Sequence, residues 1–463
     1  MYFVNVGGKI YDAVISNINF DNYHKAASRS KTFSDNNNFP FFVIIFIPNY
    51  PAMLLRHVPF LKSVFIYSFT AFGGPQGHMG MMMKTFVQKR KDITEDELLE
   101  YNAFCQMLPG PSSTQTVMLI AMKRGGIPLA TITLLLWVFP AAFIMGLFSF
   151  IIYYFYQGMA PENKNIPMNL FAYIQPMSVG FVFYAAARMM HSSIKYVATT
   201  SIMIGSLIAT VLFRSPWVFP ALLILSGFIS NFSNKRIPGT PHKPKKINWV
   251  NLWAFALIFI VAGVMSELAR QGHWEHGHIF NVFENFYRFG AIVFGGGQAL
   301  LPMMYYQFVN VPHHVVTEAA LTSQQLLTGY GMVQAVPGPV FSICSYTGGL
   351  AMSHEGPWWQ AAGCLTGTVA VFLPSTLLLF FFFPIYENLK HHVIIFRALE
   401  GINAAIVGII WASGIVLFQS IQSVHFEWSY LVVVIITFSL LYFSKIPAPL
   451  IVVGWLLMGW TLH

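Results

Sequence analysis

The chain is predicted to be an all-α polytopic membrane protein made of two homologous halves. Three observations carry this. First, 56% of its 463 residues are hydrophobic and only 9% are charged, whereas a soluble domain is about a quarter charged. So few charges cannot cover a folded surface, and the solvent must be largely lipid. Second, the apolar runs are long and continuous instead of alternating, which is the pattern of helices and not of an outer-membrane barrel. Third, two motifs occur twice. Phe72–Met82 (FGGPQGHMGMM) is followed by Gln106–Pro111 (QMLPGP), and Phe294–Met304 (FGGGQALLPMM) by Gln334–Pro339 (QAVPGP). The length suits about 10–13 membrane segments of about 20 residues each.

Residues 1–57 form a polar N-terminal tail rich in Asn and Ser, with one short apolar run at Phe41–Ile47. The basic start, apolar core and small-residue cleavage site of a signal peptide do not occur there in that order. The tail is either native or sequence upstream of a true start at Met53. The first repeat spans 58–232. Its first apolar segment, about Phe60–Met83, holds the Gly-Gly motif in its middle and reads as one interrupted span. A basic stretch follows at Lys84–Lys91. Thr94 and Glu97 then form a capping box that opens a helix running to the break at Pro109-Gly110-Pro111. The next segment stops at Lys123-Arg124-Gly125-Gly126, and apolar runs follow near 127–156, 170–190, 195–213 and 216–232. A linker, 233–282, is Pro- and Lys-rich over Asn234–Lys246 and carries an extra apolar helix near Trp249–Leu268. The second repeat spans 283–463.

The halves match motif by motif. Phe72-Gly73-Gly74 and Phe294-Gly295-Gly296 lie 222 residues apart; the capping boxes Thr94/Glu97 and Thr322/Gln325, the Pro-Gly-Pro triplets, and Gly180 with Gly408 lie 228 apart. Phe139-Pro140 matches Leu373-Pro374 at 234, and Pro216 matches Pro447 at 231. Small drifts at loops between fixed motifs mark a duplicated fold. The loop Lys84–Lys91 is strongly basic, whereas its partner Tyr305–Gln325 contains no Lys or Arg. That asymmetry predicts opposite orientations, hence an inverted repeat. A consistent layout in the first half has the Pro-Gly-Pro segment dip in and return on one side. Lys84–Lys91, Lys123-Arg124, Arg188 with Lys195, and Lys235–Lys246 then all face the cytoplasm. The net charge of +9 reports this orientation rather than nucleic-acid binding, because no basic stripe is interleaved with exposed aromatics. Cys105, Cys344 and Cys364 sit in apolar surroundings and read as small core residues, not as a disulfide framework.

Helices interrupted inside a membrane free backbone groups, which are tolerated where they line a protein-walled cavity. A helix starting at such a break aims its amides at that cavity and favours an anion. Candidate site residues are therefore Gly73, Gly74, Gln76 and His78 in the first motif, and Gln106, Pro109, Gly110, Ser112, Ser113 and Thr114 around the first triplet. In the second half they are Gly295, Gly296, Gln298, Gln334, Pro337, Gly338 and Ser342. The hydroxyls either cradle an oxyanion or bond back to their own turn. The four glutamines either donate to the oxyanion or satisfy broken backbone. His78, whose counterpart is Leu300, is a proton carrier, a donor or a packed histidine. Charges inside membrane segments are expensive and point to function: Arg288 is the candidate for balancing a dianion and Glu100 for carrying a proton. The turn His273–His278 fits no strong metal spacing and reads as a solvated loop. No nucleotide loop, nucleophile elbow or haem motif is present, so neither ATP-driven transport nor an enzyme is indicated, and no cofactor is expected.

Phe72-Gly73-Gly74-Pro75-Gln76-Gly77-His78, Phe294-Gly295-Gly296-Gly297-Gln298 and the paired Pro-Gly-Pro segments resemble the chromate ion transporter family in its two-half form, over about 58–231 and 283–461. The resemblance implies a multi-pass protein of the plasma (inner) membrane that exports chromate from the cytoplasm and thereby confers resistance. It implies drive from the membrane potential or a proton gradient, with sulfate similar enough to chromate to compete. A carrier of another oxyanion and an anion channel stay as alternatives, and a homodimer is compatible with it. The chain departs from the family pattern at Gln76-Gly77, where an apolar or small residue often precedes the histidine.

Overall fold

The computed structural model describes residues 50–158, 170–213, 215, 217–232, 249–294, 296–309, 321–386, 393–422 and 427–462. The rest of the polar tail, most of the linker's first part, and Gly295 fall outside them. All regular elements among the described residues are helical, as the long unbroken apolar runs require.

Each half opens with two helical hairpins. In the first, α1 (Tyr50–Thr70) is followed by α2 (Gly74–Met82), which is extended by a π-helical turn to Lys89. Gly73 and Gly74 both take positive φ, 86° and 66°. Two successive left-handed residues turn the chain back, and Pro75 then suits the first helical turn. The Tyr67 hydroxyl donates to the His78 carbonyl at 3.2 Å, the Phe60 and Phe86 rings lie 5.7 Å apart, and Arg90 reaches the Pro59 carbonyl at 2.9 Å. The Gly-Gly motif is thus a hairpin tip. The expected single interrupted span over 60–83 folds back on itself.

The second hairpin joins α3 (Glu95–Gln106) to the first part of α4 (Ser112–Gly158) across the Pro-Gly-Pro triplet. The Thr94/Glu97 capping box forms as expected. Lys123 pairs with Glu97 at 2.5 Å and Arg124 with Asp92, so both arms of this hairpin end at one level. At Gly125-Gly126 the chain leaves helical geometry, and α4 continues as a long apolar helix.

The first half then continues through α5 (Ile174–Ser193), α6 (Val197–Leu212) and α7 (Val218–Ser230). The extra helix α8 (Val250–Gln271) follows. Only 11% of its apolar window is buried, so it lies at the rim of the molecule. The second half repeats the plan. Helices α9 (His278–Ile292) and α10 (Leu300–Phe308) pair through Phe286 and Phe308, 5.4 Å apart. Helix α11 (Ser323–Val333), with its own Thr322/Gln325 box, pairs with α12 (Ile343–Ala351) through the Tyr346 hydroxyl on the Gln325 carbonyl, 2.8 Å. Then come α13 (Pro357–Phe382), α14 (Val393–Ile421), α15 (Trp428–Phe443) and α16 (Ala448–Leu462).

Among the described residues, four helical stretches are long and apolar enough to cross a membrane: Ser112–Tyr154, Val250–Gln271, Pro357–Ile385 and Arg397–Ile421. At the centre α5 meets α14, with Phe183 and Trp411 5.6 Å apart. These two positions are counterparts at the 228-residue shift. Helix α5 packs closely on α15 at Gly180, and α14 on α6 at Gly408; a Cβ at Gly408 would lie 2.2 Å from the Met203 carbonyl oxygen.

Candidate functional site

The four hairpin tips meet, and they meet across the halves. The Gly110 amide donates to the Val293 carbonyl at 2.6 Å, just ahead of the second Gly motif. The Gly338 amide donates to the Ala71 carbonyl at 3.0 Å, just ahead of the first. Gly110 and Gly338 are counterparts, and so are Val293 and Ala71. Both glycines have left-handed backbone, φ 107° and 116°. A Cβ on Gly110 would lie 2.3 Å from Ser375 Cβ, and one on Gly338 would lie 2.8 Å from Ala141 Cβ. Ala141 and Ser375 are again counterparts, 234 residues apart. Each triplet tip is therefore seated in the other half by the same two contacts.

These contacts use the amides that sequence reasoning assigned to a solute. Most triplet hydroxyls are also engaged. Thr116 bonds back to the Ser112 carbonyl and Thr347 to the Ile343 carbonyl, the local pattern available to hydroxyls in helices. Thr114 Oγ1 accepts from the Trp137 indole at 2.9 Å. Ser113 Oγ lies 2.9 Å from His78 Nδ1. The Pro109 carbonyl accepts from Gln115 at 2.9 Å.

Beside the meeting point lies a cavity of about 430 Å³, room for roughly 14 waters at about 30 Å³ each. All four tips contribute to its wall: Gly73 and Gly74 from the first, Gln106, Gly110 and Ser112 from the second, Gln298 from the third and Gln334 from the fourth. Among the described residues, the side chains of Gln106 and Gln298 have no hydrogen-bond partner, so their amides are available to a solute. The wall is completed by Phe181, Tyr184, Arg188 and Ser192 of α5, Asn403 of α14, and the α15–α16 turn with Ser444 and Lys445. Among the described residues, no carboxylate lines it.

The remaining sequence candidates lie elsewhere. His78 is buried behind the first tip, edge-on to Trp137 at 5.2 Å. Its ring faces the backbone of Ala71 and Gly338, while Nε2 has no hydrogen-bond partner. Ser113, Thr114, Pro109, Gly296, Pro337, Gly338 and Ser342 support the tips without lining the cavity; Ser342 Oγ is buried and unpartnered. Arg288 is held by Glu284 at 2.8 Å, Asn285 at 2.6 Å and Gln307 at 3.2 Å, so its charge is spent across the α9–α10 hairpin. Glu100 is half-buried on α3 and is not among the lining residues. The Gln76 side chain and Gly295 lie outside the described residues.

Sequence reasoning placed Arg188 among the basic groups on the cytoplasmic side and missed Lys445. A signal existed: Lys445-Ile446-Pro447 matches Arg214-Ser215-Pro216 at the 231-residue shift, a basic residue two before each matched proline.

Comparison with known proteins agrees with this architecture. The model of the chromate transporter family matches residues 59–231 and 280–460. A chromate transport protein of Cupriavidus metallidurans is 26% identical over 392 residues, covering 84% of this chain and 88% of its own. An uncharacterized transporter of Methanocaldococcus jannaschii is 23% identical, covering 89% and 95%. A chromate transport protein of Pseudomonas aeruginosa is 22% identical, covering 80% and 82%. No solved structure matches the chain. Two matched regions, one over each set of paired hairpins, make the assignment: this chain belongs to the chromate transporter family.

Proposed function

We propose that the chain moves chromate and similar tetrahedral oxyanions across the membrane, outward from the cytoplasm, through the cavity where the four tips meet. One observation carries this reading: two pairs of hairpin tips converge on a single wall that, among the described residues, offers neutral donors and two cations and contains no carboxylate. Neutral amides and hydroxyls can replace part of an oxyanion's hydration without trapping it. The names of the Cupriavidus metallidurans and Pseudomonas aeruginosa relatives supply chromate as the cargo, and sulfate, of the same shape and charge, is the expected competitor.

We also propose that the halves are inverted repeats that rock about the tip junctions. The reciprocal bonds Gly110–Val293 and Gly338–Ala71 support it, because an exchange of the same contact in both directions is the mark of two-fold symmetry. Asn403 lies early in α14 and Arg188 late in α5, yet both line one cavity. An antiparallel arrangement of the two matching central helices, which inversion requires, accounts for this. With the basic loops cytoplasmic, the Arg188 end of the cavity faces the cytoplasm. An inside-negative potential of about 100 mV then favours expulsion of a dianion by about 4.6 kcal/mol, twice the value for one charge. His78 is the proposed proton carrier if a proton gradient contributes.

The test is uptake of radiolabelled chromate into inverted vesicles, with and without an imposed potential. Saturable uptake that sulfate inhibits and the potential accelerates is expected. Flux that never saturates would identify a channel, and no oxyanion flux would sink the proposal.

A further inference from the structure

The four tips do not account for the outer end of the cavity. Arg188 lies near the end of α5 and Lys445 in the α15–α16 turn; both are exposed, and both line the cavity with the hydroxyl residues Ser192, Ser193 and Ser444. Arg188 donates to the Tyr184 hydroxyl at 2.8 Å, and its guanidinium sits 5.9 Å from that ring's centroid. Among the described residues neither cation has a carboxylate partner. Arg90, Lys123, Arg124, Arg270 and Arg288 each pair with an acid; Lys84, Lys89 and Lys195 have no acid partner among the described residues either, but Arg188 and Lys445 are the basic residues that line the cavity. The second-half counterpart of Arg188, at 188 + 228, is Val416, which is buried. The repeat therefore does not itself require a cation at the matching position.

We propose that Arg188 and Lys445 form an outer subsite that gathers divalent tetrahedral oxyanions and sets the preference for them over monovalent ones. This rests on the cavity being the oxyanion route. Two uncompensated cations at the rim of a partly enclosed cavity focus the field into it. The guanidinium fork matches the spacing of two oxyanion oxygens, and the serine hydroxyls supply further donors. Attraction scales with the product of the charges, so a dianion gains twice what a monoanion gains. A phospholipid headgroup carries the same chemistry, and the experiment separates the two sources.

The wild-type chain and the variants Arg188→Gln, Lys445→Gln and Arg188→Lys are reconstituted in phosphatidylcholine vesicles, and again with anionic lipid added. Chromate flux is measured with sulfate or perrhenate, a monovalent tetrahedral anion, as competitor. Each glutamine variant is expected to raise the chromate KM and the sulfate inhibition constant about tenfold, and the perrhenate constant about threefold, because half the charge gives half the logarithmic shift. Arg188→Lys keeps the charge and stays within about twofold. Added salt narrows the differences, because exposed charges are screened. A merely structural role at the end of α5 would lower stability without changing the sulfate-to-perrhenate ratio. An unchanged ratio overturns the subsite, as does a shift seen only with anionic lipid, which would assign the cations to headgroups. Wild-type protein without saturable chromate flux defeats the route itself and the subsite with it.

Discussion

Replacing Gly110 by alanine tests whether the tips are clamped across the halves. Gly110 holds φ at 107°, a conformation that costs a residue with a side chain about 1–3 kcal/mol. Its new methyl would also fall 2.3 Å from Ser375 Cβ and 3.0 Å from Ser375 Oγ; overpacking of this kind costs typically about 1–3 kcal/mol. The expected loss is therefore about 2–6 kcal/mol. Any shift that relieves the clash also strains the 2.6 Å bond from the Gly110 amide to Val293. Ser375→Gly removes the clashing atoms but leaves φ as it was. The double variant should thus recover the steric share and keep the backbone share. In SDS titrations of the purified protein in mixed micelles, the cycle should show a coupling of about 1–3 kcal/mol. The cost of a glycine within α13, about 1 kcal/mol, cancels in the cycle. Strict additivity, or Gly110→Ala within about 0.5 kcal/mol of wild type, would refute the cross-half clamp.

Five further outcomes are expected. The Asp92 side chain, 2% exposed, serves Arg90 and Arg124; Asp92→Asn strands two cations and should cost about 3–5 kcal/mol, whereas Glu97→Gln at the exposed Lys123 pair should cost at most about 1 kcal/mol. Lys123 first, and then the Thr94 amide, hold the Glu97 carboxyl below its usual range. Its stabilisation is therefore present above its unfolded pKa of about 4.3 and is lost as pH falls through the lower folded value; Glu97→Gln should flatten that part of a melting-temperature profile. His78→Leu, which copies Leu300, should preserve folding and saturable flux but abolish whatever dependence of flux on pH the wild type shows; unaltered pH dependence would exclude His78 as the proton carrier. Arg288→Gln should lower thermal stability and leave the chromate KM unchanged, because its charge is already met by Glu284; a raised KM would return Arg288 to the substrate route. On a cysteine-free background, Lys89→Cys and His354→Cys at the open ends of two counterpart hairpin pairs should react with an impermeant maleimide from opposite sides, and reaction from one side would sink the inverted repeat.

Much of this fold could be read from the sequence, and the limits have physical causes. Both capping boxes were legible because a hydroxyl and a carboxylate or amide three residues apart close on the backbone locally. The breaks at Pro109-Gly110-Pro111 and Pro337-Gly338-Pro339 were legible because proline and glycine act on their own dihedrals. The reversal at Gly73-Gly74 was not, since a Gly pair permits a kink or a turn and only tertiary packing, here Tyr67 on His78 and Phe60 on Phe86, selects one. Arg288 had a legible partner in Glu284, four residues earlier on the same helix face; the Gln307 contact that also holds it comes from the other arm of the hairpin and could not be read locally. Lys445 was hidden for the same reason. It sits in a short turn far along the chain and reaches the cavity only because α15 runs beside α5.

His78 is where the two junctions differ. Behind Ala71 and Gly338 lies an imidazole bonded to Ser113 and unpartnered at Nε2; at the equivalent position behind Val293 and Gly110 lies Leu300, fully buried and apolar. An unmade hydrogen bond in a buried site costs about 1–3 kcal/mol, so one junction carries a polar cost that the other lacks. In the rocking proposed above, a motion that tightens one junction as it loosens the other would not be energetically even-handed, and His78 is the residue that would set the difference.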